Sequence, residues 1–260
     1  MLNRIMKFYF PTLKENRFLF KLISKSIDKL LFLTKFNNFI KSIQHKKDDT
    51  FLNIFIKKLN KRYEIVNIRN IPPKNRLIII ANHPTGIIDP LILLLIVKKI
   101  RPDVKAVVNE DLYNFLYPMQ NILLPINLYN TNKREKQIKK ITEELSNNNA
   151  IIIFPAGKIS KLNFRKGLLD STWKNGFLIF SKETNSPILP IHITSKNPLL
   201  YSLIHLINER LFTLLSFRIT FKQNSKYYIT IGKEIYADNL ISLKKKNEIY
   251  KILYSLPKNK

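Results

Sequence analysis

The chain contains no cysteine, which excludes disulfides, thiol nucleophiles and cysteine-ligated metal sites and fits a reducing cytoplasm. Glycine is scarce, with 5 in 260 residues, and there is one tryptophan. Acidic residues are few: 18 Asp and Glu stand against 45 Lys and Arg, for a formal net charge of +27. Such an imbalance points to an anionic partner, whether nucleic acid, the acidic face of a membrane or a phosphorylated substrate. Part of it has a blander source. Lysine, asparagine, isoleucine, phenylalanine and tyrosine are all abundant where glycine is rare, the bias expected of an AT-rich genome. Long apolar runs are missing too: stretches such as Leu91 to Val97 fall far short of the ~20 residues that span a bilayer. No transmembrane helix is therefore expected. The stretch from Met1 to Pro11 has little apolar length and no small-residue cleavage site, so it does not read as a signal peptide.

Core-forming material is plentiful, with 45% hydrophobic and 11% aromatic residues, and neither an internal repeat nor a low-complexity linker interrupts it. Residues 1–61 are expected to form an N-terminal amphipathic helical segment. Phe20, Ile23, Ile27, Leu30 and Leu31, then Phe51, Ile54, Phe55 and Leu59, recur at helical spacing with lysines between them. Basic amphipathic helices of this kind can pack as a layer on a neighbouring domain, or lay Phe and Leu into lipid while Lys and Arg meet anionic head groups. Both can hold for different faces. Residues 62–260 change character: short β-rich runs alternate with longer amphipathic ones, which predicts an α/β domain with a mixed sheet flanked by helices. The predicted strands are 63–69, 77–81, 104–109, 122–127, 150–154, 188–194, 218–221 and 227–231. The predicted helices are 87–98, 132–146, 172–182, with Asp170 as a plausible cap, and 240–253.

Three runs carry the chemistry. In the first, an apolar strand delivers Asn82-His83-Pro84-Thr85-Gly86 into a turn, with Asp89 six positions beyond the histidine. A histidine titrates near neutral pH, and a nearby carboxylate can fix its tautomer and stabilise the imidazolium formed when it takes a proton. The same Asn-His-Pro also suits a plain turn. In the second, a strand ends in Phe154-Pro155-Ala156-Gly157-Lys158, a turn able to bring backbone N–H groups to a ligand. Lys158, Lys161, Arg165 and Lys166 cluster after it and suit a phosphate, although an exposed cluster is weak evidence in so basic a chain. The third run, Pro187 to His192, reads as a strand bracketed by prolines, with His192 a strand histidine.

In order and spacing these runs resemble the glycerophospholipid acyltransferase superfamily, which contains the 1-acylglycerol-3-phosphate acyltransferases, and within it the bacterial hemolysin-like branch. That branch shows Asn-His-Pro-x-Gly-x-x-Asp, Phe-Pro-Ala-Gly, Asp-x-x-Trp-x-x-Gly and Pro-x-x-Pro-x-His. Here these are Asn82–Asp89, Phe154–Gly157, Asp170–Gly176 and Pro187–His192. Arg101–Lys105 and Asn208–Leu215 are similar as well, so the resemblance covers roughly residues 50 to 235. Trp173 can still be a core filler.

The resemblance implies a glycerolipid-acyltransferase-like fold and transfer of a fatty acyl group. The donor would be an acyl-CoA or acyl-carrier-protein thioester, and the acceptor the hydroxyl of a lysophospholipid or similar single-chain lipid. His83 would be the general base and Asp89 its orienting partner. Asn82, Thr85, Gly86, Phe154, Pro155, Gly157, Lys158, Lys161, Arg165 and Lys166 would contact substrate, with N–H groups at the turn or helix start holding the thioester oxyanion. No metal and no cofactor beyond the donor is implied. A peripheral position on an anionic membrane surface, at the cytoplasmic face of the cell membrane, follows from the basic helices. Nucleic acid is not the expected partner, since no nucleic-acid motif accompanies the charge. Two motifs depart from the pattern. The superfamily's usual first motif is one residue shorter, and its usual third motif, Phe-Pro-Glu-Gly-Thr-Arg-Ser, here has Ala156, Lys158 and Ile159 in place of the glutamate, threonine and arginine. Lys158, one residue from the missing cation, is the expected substitute. A non-catalytic lipid-surface protein of the same fold is the alternative that these losses favour.

Overall fold

The computed structural model describes residues 17–127, 130–163, 167–195, 226–236 and 243–258. The predicted strand 218–221, the similar stretch Asn208–Leu215, and both Arg165 and Lys166 lie outside them.

Seven strands form one mixed sheet: β1 (Arg62–Val66), β2 (Leu77–Ala81), β3 (Val104–Asn109), β4 (Leu123–Ile126), β5 (Ala150–Ile153), β8 (Ile188–Ser195) and β9 (Lys226–Ile231). Two short strands, β6 (Lys161–Asn163) and β7 (Gly167–Leu169), pair antiparallel apart from it. The spatial order is β1-β9-β8-β2-β5-β3-β4. Central β2 runs parallel to β5 on one side and β8 on the other, and β3 and β4 extend the parallel set. Strand β9 opposes β8 in direction and carries β1 parallel to itself.

Parallel neighbours cannot be joined by a tight hairpin, so helices make the crossovers. Among the described residues α1 (Arg17–Leu31), α2 (Leu33–Ile43) and α3 (Asp48–Lys58) precede the sheet, while α4 (Ile88–Val97) links β2 to β3 and α5 (Glu110–Phe115) links β3 to β4. Then α6 (Thr131–Ser146) links β4 to β5, α7 (Gly176–Thr184) precedes β8, and α8 (Leu243–Ser255) follows β9.

Strand β2 explains the packing. Side chains alternate across a strand, and all five of its residues are buried because both faces are covered. Leu77, Ile79 and Ala81 face a core shared with Phe36 and Ile40 of α2, Phe51 and Phe55 of α3, and Leu91 of α4. Ile78 and Ile80 face a second core with Ile141 of α6, Phe177 of α7 and Ile249 of α8. Trp173 fills that core, edge-on to Phe177 and Tyr250. Helices α2 and α3 are thus a packed layer on the sheet. Helix α1 keeps Phe18 (78% exposed) and Leu22 (54%) on its outside.

The structure departs from these expectations in several places: β1 ends at Val66 rather than 69, and the β6–β7 pair was not among the predicted strands. Helix α7 begins at Gly176 rather than Thr172, and Asp170 does not cap it, because its carboxylate is taken by three other donors. Short α5 was not predicted; Asn109 caps it by accepting from the Leu112 N–H at 2.7 Å, and six residues are too few to show a period.

At the end of the sheet where β2 and β5 begin, fully buried Arg101 plugs the loops. Its guanidinium donates to the carbonyls of Pro72, Lys74, Asn75 and Asn148 and forks onto Asp103 at 2.9 and 2.6 Å. Burial works to raise the Asp103 carboxyl, but the hydrogen bond and charge of Arg101 outweigh it and hold it below the ordinary 3.8. Arg101→Met should therefore destabilise the fold by about 3 kcal/mol in urea unfolding, because buried carbonyls lose their donor. A carboxylate held low stabilises fully above its unfolded value and less as pH falls through the folded one. Below pH 3.8 the wild type should accordingly lose stability more steeply than the variant.

Candidate active site

The first run starts where β2 ends. Asn82 prolongs the sheet with its side chain: Nδ2 donates to the Ile193 carbonyl (2.8 Å) and Oδ1 accepts from the Ile193 N–H (2.7 Å). At 1% exposure its amide is committed to β8, so the structure places this expected substrate contact within the sheet.

His83 follows at the strand's C-terminal edge, where α/β sheets build their sites. Its Nδ1 lies 2.8 Å from Asp89 Oδ2. Asp89 sits buried in the first turn of α4, where the helix dipole favours an anion. Oδ2 also accepts from the Thr85 N–H (2.8 Å) and the Gly86 N–H (3.0 Å), and Oδ1 accepts from the Thr85 hydroxyl. The six-residue spacing closes because Gly86 adopts φ 84°, a left-handed conformation without penalty for glycine. All the carboxylate's other partners are donors, so Nδ1 carries the imidazole proton and Nε2 presents its lone pair. Tyr227 of β9 extends the chain, donating to Thr85 Oγ1 at 3.2 Å. Burial, reinforced by the Asp89 charge, pushes its phenol well above the ordinary value.

The turn was expected to offer N–H groups to an oxyanion. Those of Thr85 and Gly86 are spent on Asp89 instead.

The second run wraps over the histidine from β5. Gly157, at φ 63°, closes a tight turn by donating to the Phe154 carbonyl at 2.9 Å. The Phe154 ring lies 4.4 Å from the His83 ring, and the Ser160 N–H donates to the His83 carbonyl at 2.8 Å. Lys158 and Lys161 are exposed, whereas Ile159, in the place of the family's arginine, is 8% exposed and joins the first core. The Lys174 N–H donates to the Pro155 carbonyl at 3.0 Å. Burial, then the positive charges of Lys158 and Arg134, lower the Lys174 ammonium from its ordinary value. Lys158 and Lys174 therefore both lie at the Phe154–Gly157 turn. Lys174 and Arg134 were not singled out in the sequence, where nothing marks one lysine among so many.

Asp170 was also missed as a site residue. It follows β7 and accepts from the His83 N–H (3.2 Å), the Ser160 hydroxyl (2.6 Å) and Trp173 Nε1 (2.9 Å). His192, in contrast, is a buried residue of β8, and burial, with the charge of Lys258, pushes it down to about 4. It stays neutral at physiological pH.

An α/β sheet of this order, with a histidine and carboxylate paired at its C-terminal edge, belongs to a known class. A family model described as Acyltransferase matches residues 62–194, over half the chain, and the chain belongs to that family. It is 28% identical over 188 residues to a lyso-glycine lipid O-acyltransferase of Phocaeicola vulgatus, a match covering 71% of this chain and 65% of the relative. A second protein of that description, from Bacteroides thetaiotaomicron, is 27% identical over 187 residues, with 71% and 67% covered. The chain thus spans just under two thirds of the length of the first relative. The fold is that of the 1-acyl-sn-glycerophosphate acyltransferase of Thermotoga maritima: TM-score 0.50 at 16% identity, over 86% of this chain and 93% of the other.

Asp89→Asn should loosen the turn itself. An amide NH2 set among donors leaves one of them unmet, which costs about 1–3 kcal/mol. Hydrogen exchange should show the Thr85 and Gly86 amides losing protection, with a lowered Tm; unchanged protection would contradict this account of the turn.

Proposed function

We propose that this protein transfers a fatty acyl group from a thioester, on coenzyme A or acyl carrier protein, to the hydroxyl of a single-chain lysolipid. The observation that carries the reading is the 2.8 Å contact of His83 Nδ1 with buried Asp89. It leaves Nε2 as a base with no enzyme nucleophile required. Nε2 takes the proton of the acceptor hydroxyl as its oxygen attacks the thioester carbonyl carbon. The tetrahedral adduct then expels the thiolate, which recovers that proton from the imidazolium as the ester forms. Asp89 keeps the ring in the required tautomer and stabilises the imidazolium in between.

Lys158 and Lys161, which follow the Phe154–Gly157 turn in the chain, and Lys174, whose N–H is bonded to Pro155, support an anionic group on acceptor or donor beside that turn. With Ile159 buried where the family pattern has a cation, the names of the two relatives make a lyso-glycine lipid the first acceptor to try, ahead of 1-acylglycerol 3-phosphate. Within residues 1–61, helix α1 is read as the membrane-facing part, since α2 and α3 pack on the sheet. Phe18, Leu19 and Leu22 of α1 are exposed beside Lys21 and Lys25, which suits peripheral attachment to an anionic surface on the cytoplasmic face. No helix of the described residues is long and apolar enough to cross a membrane.

Purified protein given both thioester donors and a panel of lysolipids, with products followed by mass spectrometry, tests the reading. One acceptor–donor pair should turn over, and His83→Ala should lower kcat about 10³-fold with little change in Tm. Wild-type turnover by that variant would defeat the mechanism. Lys158→Ala should raise KM more than it lowers kcat, because a contact remote from the carbonyl acts on ground and transition states alike. The loss of the motif's cation at Ile159 favours a second reading, a lipid-binding protein without catalysis. Vesicle binding with no product from any pair would establish it.

Binding to vesicles of anionic lipid should be clear at low salt and weaker at high salt, and a Phe18→Ser, Leu22→Ser double variant should release the protein. Full recovery of the wild type in the vesicle-free fraction would refute the attachment.

A further inference from the structure

We infer that Asp170 is a positioning residue for the base, acting on the main chain of His83 as Asp89 acts on its ring. This rests on the reading of His83 as the base. The peptide groups of His83 are held on both sides by one small network. Its N–H donates to Asp170 Oδ1 at 3.2 Å, and its carbonyl accepts from the Ser160 N–H at 2.8 Å. The Ser160 hydroxyl closes the loop by donating to the same Asp170 oxygen at 2.6 Å. Asp170 thereby ties the strand end that delivers the histidine to the Phe154–Ser160 segment that covers it, across 87 residues of sequence.

Asp170 is itself immobilised. Its Oδ2 accepts from Trp173 Nε1 at 2.9 Å, and its N–H donates to the Tyr254 hydroxyl of α8 at 2.8 Å. Lys246, on the same helix, donates to the Trp173 carbonyl at 3.0 Å. Burial pushes the Asp170 carboxyl up, opposed by hydrogen bonds from Ser160, Trp173 and the His83 amide and by the charge of His83. The partners of its side-chain oxygens are all donors, which suits the ionised, accepting form. Two points hold an imidazole for proton transfer: the ring nitrogen opposite the reacting one, and the backbone from which the ring swings. Asp89 supplies the first and Asp170 the second. An error of about 1 Å in such placement costs on the order of 10²-fold in rate.

The test compares Asp170→Asn, Asp170→Ala and Ser160→Ala in the full chain with Arg101→Met, a destabilised control at the opposite end of the sheet. Three readouts are taken: Tm, steady-state kinetics, and the ring ¹⁵N signals of His83. Both Asp170 variants should lower kcat at least about tenfold with acceptor KM within about twofold. The His83 ring should pass from a single Nδ1–H tautomer to a mixture, and Ser160→Ala should move the same way by less. Arg101→Met should lose Tm yet keep the wild-type tautomer and kcat.

A kcat loss in the Asp170 variants no greater than in Arg101→Met, or a His83 tautomer unchanged in Asp170→Asn, would overturn the inference. The near-isosteric Asn variant carries the test where the Ala variant fails to fold. If His83→Ala kept full activity, the base assignment would fall instead. The tautomer readout needs no substrate and would still decide whether Asp170 positions the ring.

Discussion

A carboxylate shut away from water must find its hydrogen-bond donors inside the protein, and around Asp89 that requirement shapes everything nearby. The chain leaving β2 has to curl back so that two amides, a hydroxyl and an imidazole converge on one side chain. Gly86 takes up the left-handed step, α4 starts with its positive end on the acid, and the ring of His83 has its Nδ1 committed to that acid. The turn and the placement of the histidine are products of the same constraint. A consequence is chemical: amides that satisfy this carboxylate are not available to a ligand oxygen, so in the transfer proposed above the developing charge would have to be met by other groups.

The two ends of the parallel strands do different work. Where β2 and β5 begin, Arg101 gathers the carbonyls of two loops into a single plug. Where they end, polar side chains connect the loops to one another: Asn82 to β8, Asp170 to both site segments, Tyr227 to Thr85. Rigid packing of β2 between two cores keeps these ends at a fixed separation.

Much of this was legible in the residues, for identifiable reasons. Strand β2 matches its predicted bounds because a strand buried on both faces is apolar at every position and stops at the first polar group, and β3 likewise begins and ends as expected. The proximity of His83 and Asp89 could be read because both belong to one local turn. Asp170 could not, since its partner His83 lies 87 positions away and composition does not record distance. Its resemblance to a helix cap was misleading for a local reason: an aspartate ahead of an apolar segment looks the same whether its acceptor serves the next turn or a distant strand. The part Asn82 plays in the sheet was hidden in the same manner, since a polar residue beside a histidine does not announce a bond to a strand 111 positions away. The identity of Ile159 spoke of a missing cation, and only packing revealed that the position faces the core.

Phe36, Ile40, Phe51 and Phe55 share their core with Leu77, Ile79 and Leu91. Helices α2 and α3 are therefore walls of the α/β unit rather than a leash, and α4, which carries Asp89, is packed directly among them. Any bilayer grip exerted through the preceding helix would fix the height and tilt of the whole sheet over the lipid plane. If the chain transfers acyl groups as proposed, an acceptor would then meet the histidine at a set depth, and the distance of its hydroxyl from the hydrocarbon would count before the head group that bears it.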